Sequence, residues 1–355
     1  MEYNATSLWV SRIVDWGRGY VDRPLLVAFL TMGWIPVVCS VVALDPSEAS
    51  TAFIVGQALA CLMVVPAPFD VWYYDERLLP QFFDDIELIT AAESHDALDR
   101  LAKRYDTYYA KYWWVSTLVW VVLVLTVFVV GQDYFRAQGI DTLVERGAYL
   151  GFFCYWLLFA GLRSHGGVIT VFVIRAFAEE VALDVDPLHP DGLGGLSTVG
   201  TFAIRMTVIT SLGSLALPLS FQIAGHIAYE EVVYVGVALF VLLVALNFLY
   251  PTYKVNRRAQ DLRERMLDNH RERIRKLEER LALLTEGEAD LPDDDLAETN
   301  DELLELEIRR ARREYEDYQS VQLYPLSIGI ITRLASSILL PVCFILFELF
   351  ITGSL

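Results

Sequence analysis

The sequence predicts an all-α polytopic membrane protein with seven transmembrane helices and a long cytoplasmic helical hairpin between spans six and seven. Three observations favour this fold class. Of the 355 residues 55% are hydrophobic, and the mean hydropathy is +0.39, which is too apolar for an ordinary soluble domain. Seven stretches are long and apolar enough to cross a bilayer core of about 30 Å. A charged segment with helical periodicity separates the last two.

The predicted spans cover residues 24–44, 52–72, 113–130, 147–177, 199–225, 232–250 and 326–350. The fifth is the weakest, because Arg205 opens it and Gly213 and Pro218 interrupt it. Such residues are tolerated where neighbouring helices satisfy them. The first 23 residues show no small-residue cleavage site, so we expect the first hydrophobic helix to stay in the mature protein.

Lysine and arginine are distributed unequally between the connections. Residues 1–23, 73–112 and 251–325 hold twenty-two of them, whereas residues 45–51, 131–146 and 226–231 hold two. Cytoplasmic connections carry the excess of positive side chains. The sequence therefore predicts a multi-pass protein of the cell membrane with a cytoplasmic N-terminus and an external C-terminus.

Three regions follow from this layout. Residues 1–250 are predicted to form a six-span bundle with a cytoplasmic helix at 78–112, which begins at Pro80 and runs into the third span. Residues 251–325 are predicted to form the cytoplasmic hairpin, two helices joined at 287–295, and residues 326–355 the seventh span and the C-terminus. Apolar residues recur along both hairpin helices at coiled-coil spacing, so that the hairpin either packs on itself or anchors neighbouring subunits; the recurring residues are Ile274, Leu277, Leu281, Leu304, Ile308 and Ala311.

Charge and missing motifs exclude several functions. The net charge of −18 argues against a nucleic-acid partner. Only four lysines accompany the surplus of carboxylates, a composition that resembles proteins of salt-loving archaea. No HExxH, CxxC, GxSxG or nucleotide-binding motif is present, so we expect neither an enzyme nor a cofactor. No lysine lies in any predicted span, which argues against a retinal Schiff base.

Polar side chains inside predicted spans are functional hypotheses, because burying them in a membrane is costly. Arg163 and His165 lie in the middle of the fourth span. We expect Arg163 to face the bundle interior and to pair with a carbonyl or a carboxylate. Arg205 lies near an inner end, from which it can reach the interface. Asn247 is expected to bind a neighbouring helix.

The segment DVDPLHPDGLGGLSTVG, residues 184–200, is the most distinctive in the chain. Its Asp184, Asp186, His189 and Asp191 could bind a hard cation, and its glycines permit tight turns. The alternative is a helix stop followed by capping residues.

The arrangement of these elements resembles the seven-transmembrane ion channels that include insect odorant and gustatory receptors and their unicellular relatives. The shared features are a cytoplasmic N-terminus, short outer connections, spans prolonged into a cytoplasmic bundle, and a last span that ends almost at the C-terminus, here FELFITGSL. The resemblance is topological and covers nearly the whole chain. Where those receptors often carry a TYxxxxxQF-like signature, this sequence has ITRLASSILLPVCFILFELF.

The resemblance implies a homotetramer in which the cytoplasmic helices form the anchor and four copies of the seventh span line a cation pore. Pore-lining positions would then be Ser336, Ser337, Ile338, Leu339, Val342, Ile345 and Glu348. Glu348 either reaches the outer interface or forms an acidic ring, and the apolar residues can gate by dewetting. The alternatives are a non-conducting scaffold or sensor that uses the acidic hairpin, and a small-solute transporter. A small-molecule or ion ligand is compatible with each.

Overall fold

The computed structural model describes residues 7–182, 195–227, 231–287 and 295–320. Within these ranges the regular structure is helical, and no strand occurs. The α-helices in chain order are α1 Trp9–Arg18, α2 Pro24–Ala28, α3 Ile35–Ala43, α4 Thr51–Val64, α5 Ala67–Tyr73, α6 Leu79–Glu87, α7 His95–Val130, α8 Gln132–Ala137, α9 Leu143–Glu180, α10 Ser197–Ser211, α11 Leu217–Ala224, α12 Glu231–Gly287 and α13 Asp295–Ser320.

Four helical stretches among the described residues are long and apolar enough to cross a membrane: Thr51–Glu87, Ala92–Val130, Leu143–Glu180 and Ser197–Ala224. A fifth results if Pro24–Gly33 and Ile35–Ala43, which meet at 41°, form one bent span. These five coincide with the first five predicted spans. The sixth corresponds to the shorter apolar helix Glu231–Asn247 at the start of α12, and residues 326–350 lie outside the described residues. The chain is therefore a multi-pass helical membrane protein, with four or five candidate spans among its described residues.

The bend in the first span has a local cause. A π-helical turn, Phe29–Gly33, follows α2, and Pro36 lies in the first turn of α3. Proline lacks the N–H that a helix interior requires, and π-turns shift the hydrogen-bond register, so both features bend helices.

The prediction of one helix over residues 78–112 that begins at Pro80 is wrong. The helical stretch that starts at Thr51 continues through a π-helical turn, Tyr74–Leu78, into α6, where Pro80 lies in the first turn. The π-turn shifts the hydrogen-bond register just before Pro80, so the stretch tolerates the absence of the N–H that proline lacks. The chain leaves the helix after Glu87 instead, and α7 then runs unbroken from His95 to Val130.

Helix α9 forms the centre of the bundle. It begins with a capping box, in which Thr142 and Glu145 bind each other's backbone N–H groups, and it packs against α3, α7 and α12. In the apolar segment of α9, 72% of the residues are buried, whereas in the apolar segment of the span Ala92–Val130 only 11% are buried. Polar residues of α9 must therefore find partners inside the protein, whereas α7 exposes an apolar face.

Helix α12 is 57 residues long, which corresponds to about 85 Å at 1.5 Å per residue. Its charged C-terminal half contacts α13. Arg312 donates to Glu278 at 2.6 Å, and Arg271 donates to the Tyr315 hydroxyl at 2.9 Å. Three residues of α13, which we call the α13 seam, are buried: Leu304, Ile308 and Ala311. Contacts within one chain thus bury the α13 half of the apolar face that the sequence predicts, whereas Ile274, Leu277 and Leu281 of α12 are only half-buried.

Candidate functional site

An ion pair lies in the interior of the bundle, between Asp70 of α5 and Arg163 of α9. Both side chains are less than one-tenth exposed. The carboxylate neutralises the guanidinium, and such compensation is what makes a buried charge tolerable. Sequence reasoning expected a carbonyl or carboxylate partner for Arg163 but did not single out Asp70. The available signal was the position of Asp70, a carboxylate inside the second apolar stretch.

His165 points towards α7 and is fully engaged there. Its Nε2 lies 3.2 Å from the carbonyl oxygen of Tyr109, and its Nδ1 lies 3.4 Å from the Ser116 hydroxyl. The imidazole also stacks on the Tyr109 ring, with the centroids 5.5 Å apart. These contacts tie α9 to α7, so His165 serves helix packing.

Asn247 and Arg205 make their hydrogen bonds with groups other than the ion pair. Asn247 is buried and donates to the Leu243 carbonyl at 3.0 Å. A Cβ atom added to Gly167 would lie 2.5 Å from the amide nitrogen of Asn247, so the glycine allows α9 and α12 to approach closely. Arg205 donates to the Gln81 side chain at 3.1 Å and is partly exposed. The four predicted intramembrane polar residues therefore do not form one site.

A cavity of about 110 Å³ lies beside the ion pair and is partly open. Arg163 and Ser164 of α9 are among the residues that line it, and Trp120 of α7 donates to the Ser164 hydroxyl at 2.8 Å. The remaining wall is largely apolar and comes from α4, α7, α9, α10, α11 and α12; it includes Met63, Val124, Phe153, Trp156, Leu217, Val233, Gly236, Val237 and Phe240. No sequence pattern marks this cavity, because its wall combines residues from Met63 to Leu243 that lie on six different helices.

Several predicted site residues lie outside the described residues. These are the candidate cation ligands Asp184, Asp186, His189 and Asp191, and the predicted pore residues Ser336, Ser337, Ile338, Leu339, Val342, Ile345 and Glu348. Within residues 7–182, 195–227, 231–287 and 295–320, no group of three His, Cys, Asp or Glu side chains is placed to hold a metal ion. The thiols of Cys39, Cys61 and Cys154 are free.

No family model, no curated protein and no solved structure matches the chain.

Proposed function

We propose that this chain is a homotetrameric cation channel with seven spans, in which residues 326–350 form the seventh span and line the pore. The observation that carries the proposal is the course of α12. It begins with the apolar helix Glu231–Asn247 and continues as a single charged helix to Gly287. Spans prolonged into a cytoplasmic bundle are the feature that the sequence shares with the seven-transmembrane ion channels.

In this proposal α12 and α13 form an antiparallel cytoplasmic hairpin. The order of their contacts supports it: Glu278 binds Arg312, whereas Arg271, earlier in α12, binds Tyr315, later in α13. α7 is prolonged in the same way, since its apolar stretch starts near Trp113 and the helix starts at His95.

A cytoplasmic N-terminus and an external C-terminus belong to the same proposal, and the unequal distribution of lysine and arginine supports them. Single cysteines in a chain without its native cysteines test this orientation. A cysteine at the exposed Ser47 should react with an impermeant maleimide on intact cells. One at Glu279, which is 65% exposed, should react only after permeabilisation. Labelling of both on intact cells would contradict the orientation.

Channel activity is tested by planar-bilayer recording of the purified protein together with its mass in detergent. We expect a tetramer that conducts cations. Glu348→Gln should lower the single-channel cation current or the cation preference without changing the mass, because it removes an acidic ring at the outer mouth. Glu48→Gln, which removes an exposed carboxylate from the connection before α4, is the matched control and should leave both unchanged. A protein without current, or equal selectivity in Glu348→Gln, would contradict the pore assignment.

A second candidate is a non-conducting scaffold or sensor that recruits partners with its acidic hairpin. The α13 seam favours it, because α12 of the same chain already buries these residues and no neighbouring subunit is needed to cover them. A monomer or dimer without conductance would support this candidate over the channel.

A further inference from the structure

We propose that the cavity beside Arg163 binds a small, neutral, largely apolar molecule that carries a carbonyl or ether oxygen. The proposal does not rest on the channel proposal, since the wall residues that carry it belong to α7, α9, α11 and α12 of one chain.

The size and the lining of the cavity indicate the size and the apolar character of the ligand. Its volume is about 110 Å³, and side chains such as Val124, Trp156, Leu217 and Phe240 form most of its wall. In a soluble protein an apolar cavity of about 150 Å³ binds benzene. This cavity is smaller but partly open, so it has room for one small ring or short chain, whereas a whole phospholipid is far larger.

Two hydrogen-bond donors without acceptors indicate which polar group the ligand carries. The Nε of Arg163 is buried and has no hydrogen-bond partner among the described residues, although another nitrogen of the same guanidinium binds Asp70. The Ser164 hydroxyl accepts from Trp120, and its own hydrogen has no acceptor in the described part of the chain. A buried donor without a partner is costly, so an acceptor atom in the cavity would satisfy it.

The other hydroxyls of the wall do not compete for that acceptor. Thr210 donates to the Met206 carbonyl and Ser220 to the Ala216 carbonyl, each at 2.9 Å. Asp70 balances the charge of Arg163, so the polar end of the cavity carries no net charge. A neutral acceptor is therefore favoured over an anion, whose burial would lack a counter-ion.

Cyclohexanone and methylenecyclohexane make a matched pair of probes, because they differ only in whether the exocyclic atom is a carbonyl oxygen or a methylene carbon. Binding is measured as the shift in the thermal unfolding midpoint of the full chain in detergent, at equal concentrations of probe in the micelles. We expect cyclohexanone to bind about two- to tenfold more tightly, the value of one hydrogen bond. Ser164→Ala should reduce this preference.

The location is tested by filling the cavity. Gly236 belongs to the wall, and a Cβ atom added there would meet no atom within 4 Å. Gly236→Leu should therefore place its side chain in the cavity and abolish binding of both probes. Gly147 of α9 has equally open space but lies outside the cavity, so Gly147→Leu is the matched control and should bind both probes normally.

Equal binding of the two probes to the wild-type protein, no binding at all, or unchanged binding to Gly236→Leu would overturn the proposal. Displacement of cyclohexanone by added ester phospholipid would assign the cavity to a lipid and would also overturn it. If Gly236→Leu does not fold, the proposal is still tested by comparing the binding of the two probes to the wild-type protein and to Ser164→Ala.

Discussion

Removal of either member of the Asp70–Arg163 pair should lower the free energy of unfolding by about 3–5 kcal/mol, because the remaining charge is buried without its counter-ion. The exposure of the two side chains, 9% and 7%, sets this magnitude. Arg104 and Glu180 provide a matched comparison, since they pair at 2.5 Å but are 38% and 46% exposed. Exposed pairs contribute only about 0.2–1 kcal/mol.

The variants are Asp70→Leu, Arg163→Met and the double variant, with Glu180→Gln as the control. We expect the double variant to be nearly as stable as the wild-type protein or more stable, because apolar side chains of similar size often replace a buried ion pair without loss. The difference between the double variant and the sum of the single variants measures the coupling of the pair.

The assay is equilibrium unfolding in mixed detergent micelles, with increasing dodecyl sulfate and with helix content followed by circular dichroism. Single variants that cost less than about 1 kcal/mol would place the pair in the exposed class. A double variant whose cost equals the sum of the single costs would show that the two side chains do not interact. Either result would refute the reasoning.

Two further predictions use the same assay. Ile308 is 6% exposed, so Ile308→Asp should detach α13 from α12 and lower the free energy of unfolding by more than about 2 kcal/mol. The control is Leu306→Asp, at a residue that is 57% exposed, which should change the free energy of unfolding by less than about 0.5 kcal/mol. Equal effects of the two variants would mean that the α13 seam is not buried. A Cβ atom at Gly161 would lie 2.5 Å from the Thr117 Cα, so Gly161→Ala should separate α7 from α9 and lower the free energy of unfolding by about 1–3 kcal/mol. The control is Gly147→Ala, whose added Cβ atom meets no atom within 4 Å and which should raise the free energy of unfolding by up to about 1 kcal/mol. An unchanged stability of Gly161→Ala would argue against the close approach of α7 and α9.

The helix boundaries show how far sequence patterns reach. Gly213 and Pro218 make the fifth span the weakest of the predicted spans, yet Ser197–Ala224 is one of the four candidate spans that the described residues contain. A 3-10 turn at Leu212–Ala216 includes Gly213 and keeps the stretch helical between α10 and α11, and Pro218 lies in the first turn of α11. The predicted helix start at Pro80 is wrong for the same reason, because a backbone N–H is not needed at this position, directly after a π-turn. At Pro36, Pro80 and Pro218 the proline follows a local change of helical register, whereas Pro24 begins a helix after an extended residue.

The sequence by itself determined that the chain is helical and membrane-embedded, and where its first five apolar stretches lie. The physical reason is that a bilayer requires each spanning segment to satisfy its own backbone, so length and apolarity suffice to locate it. The same reasoning required a partner for Arg163.

Only the tertiary structure decided which partner that is. Asp70 precedes Arg163 by 93 positions, and no periodicity links residues so far apart. The same holds for the stacking of His165 on Tyr109, for the contact of Asn247 with Gly167 and for the cavity beside Ser164. These features depend on how α5, α7, α9 and α12 are placed against one another, and side-chain packing between helices sets that placement.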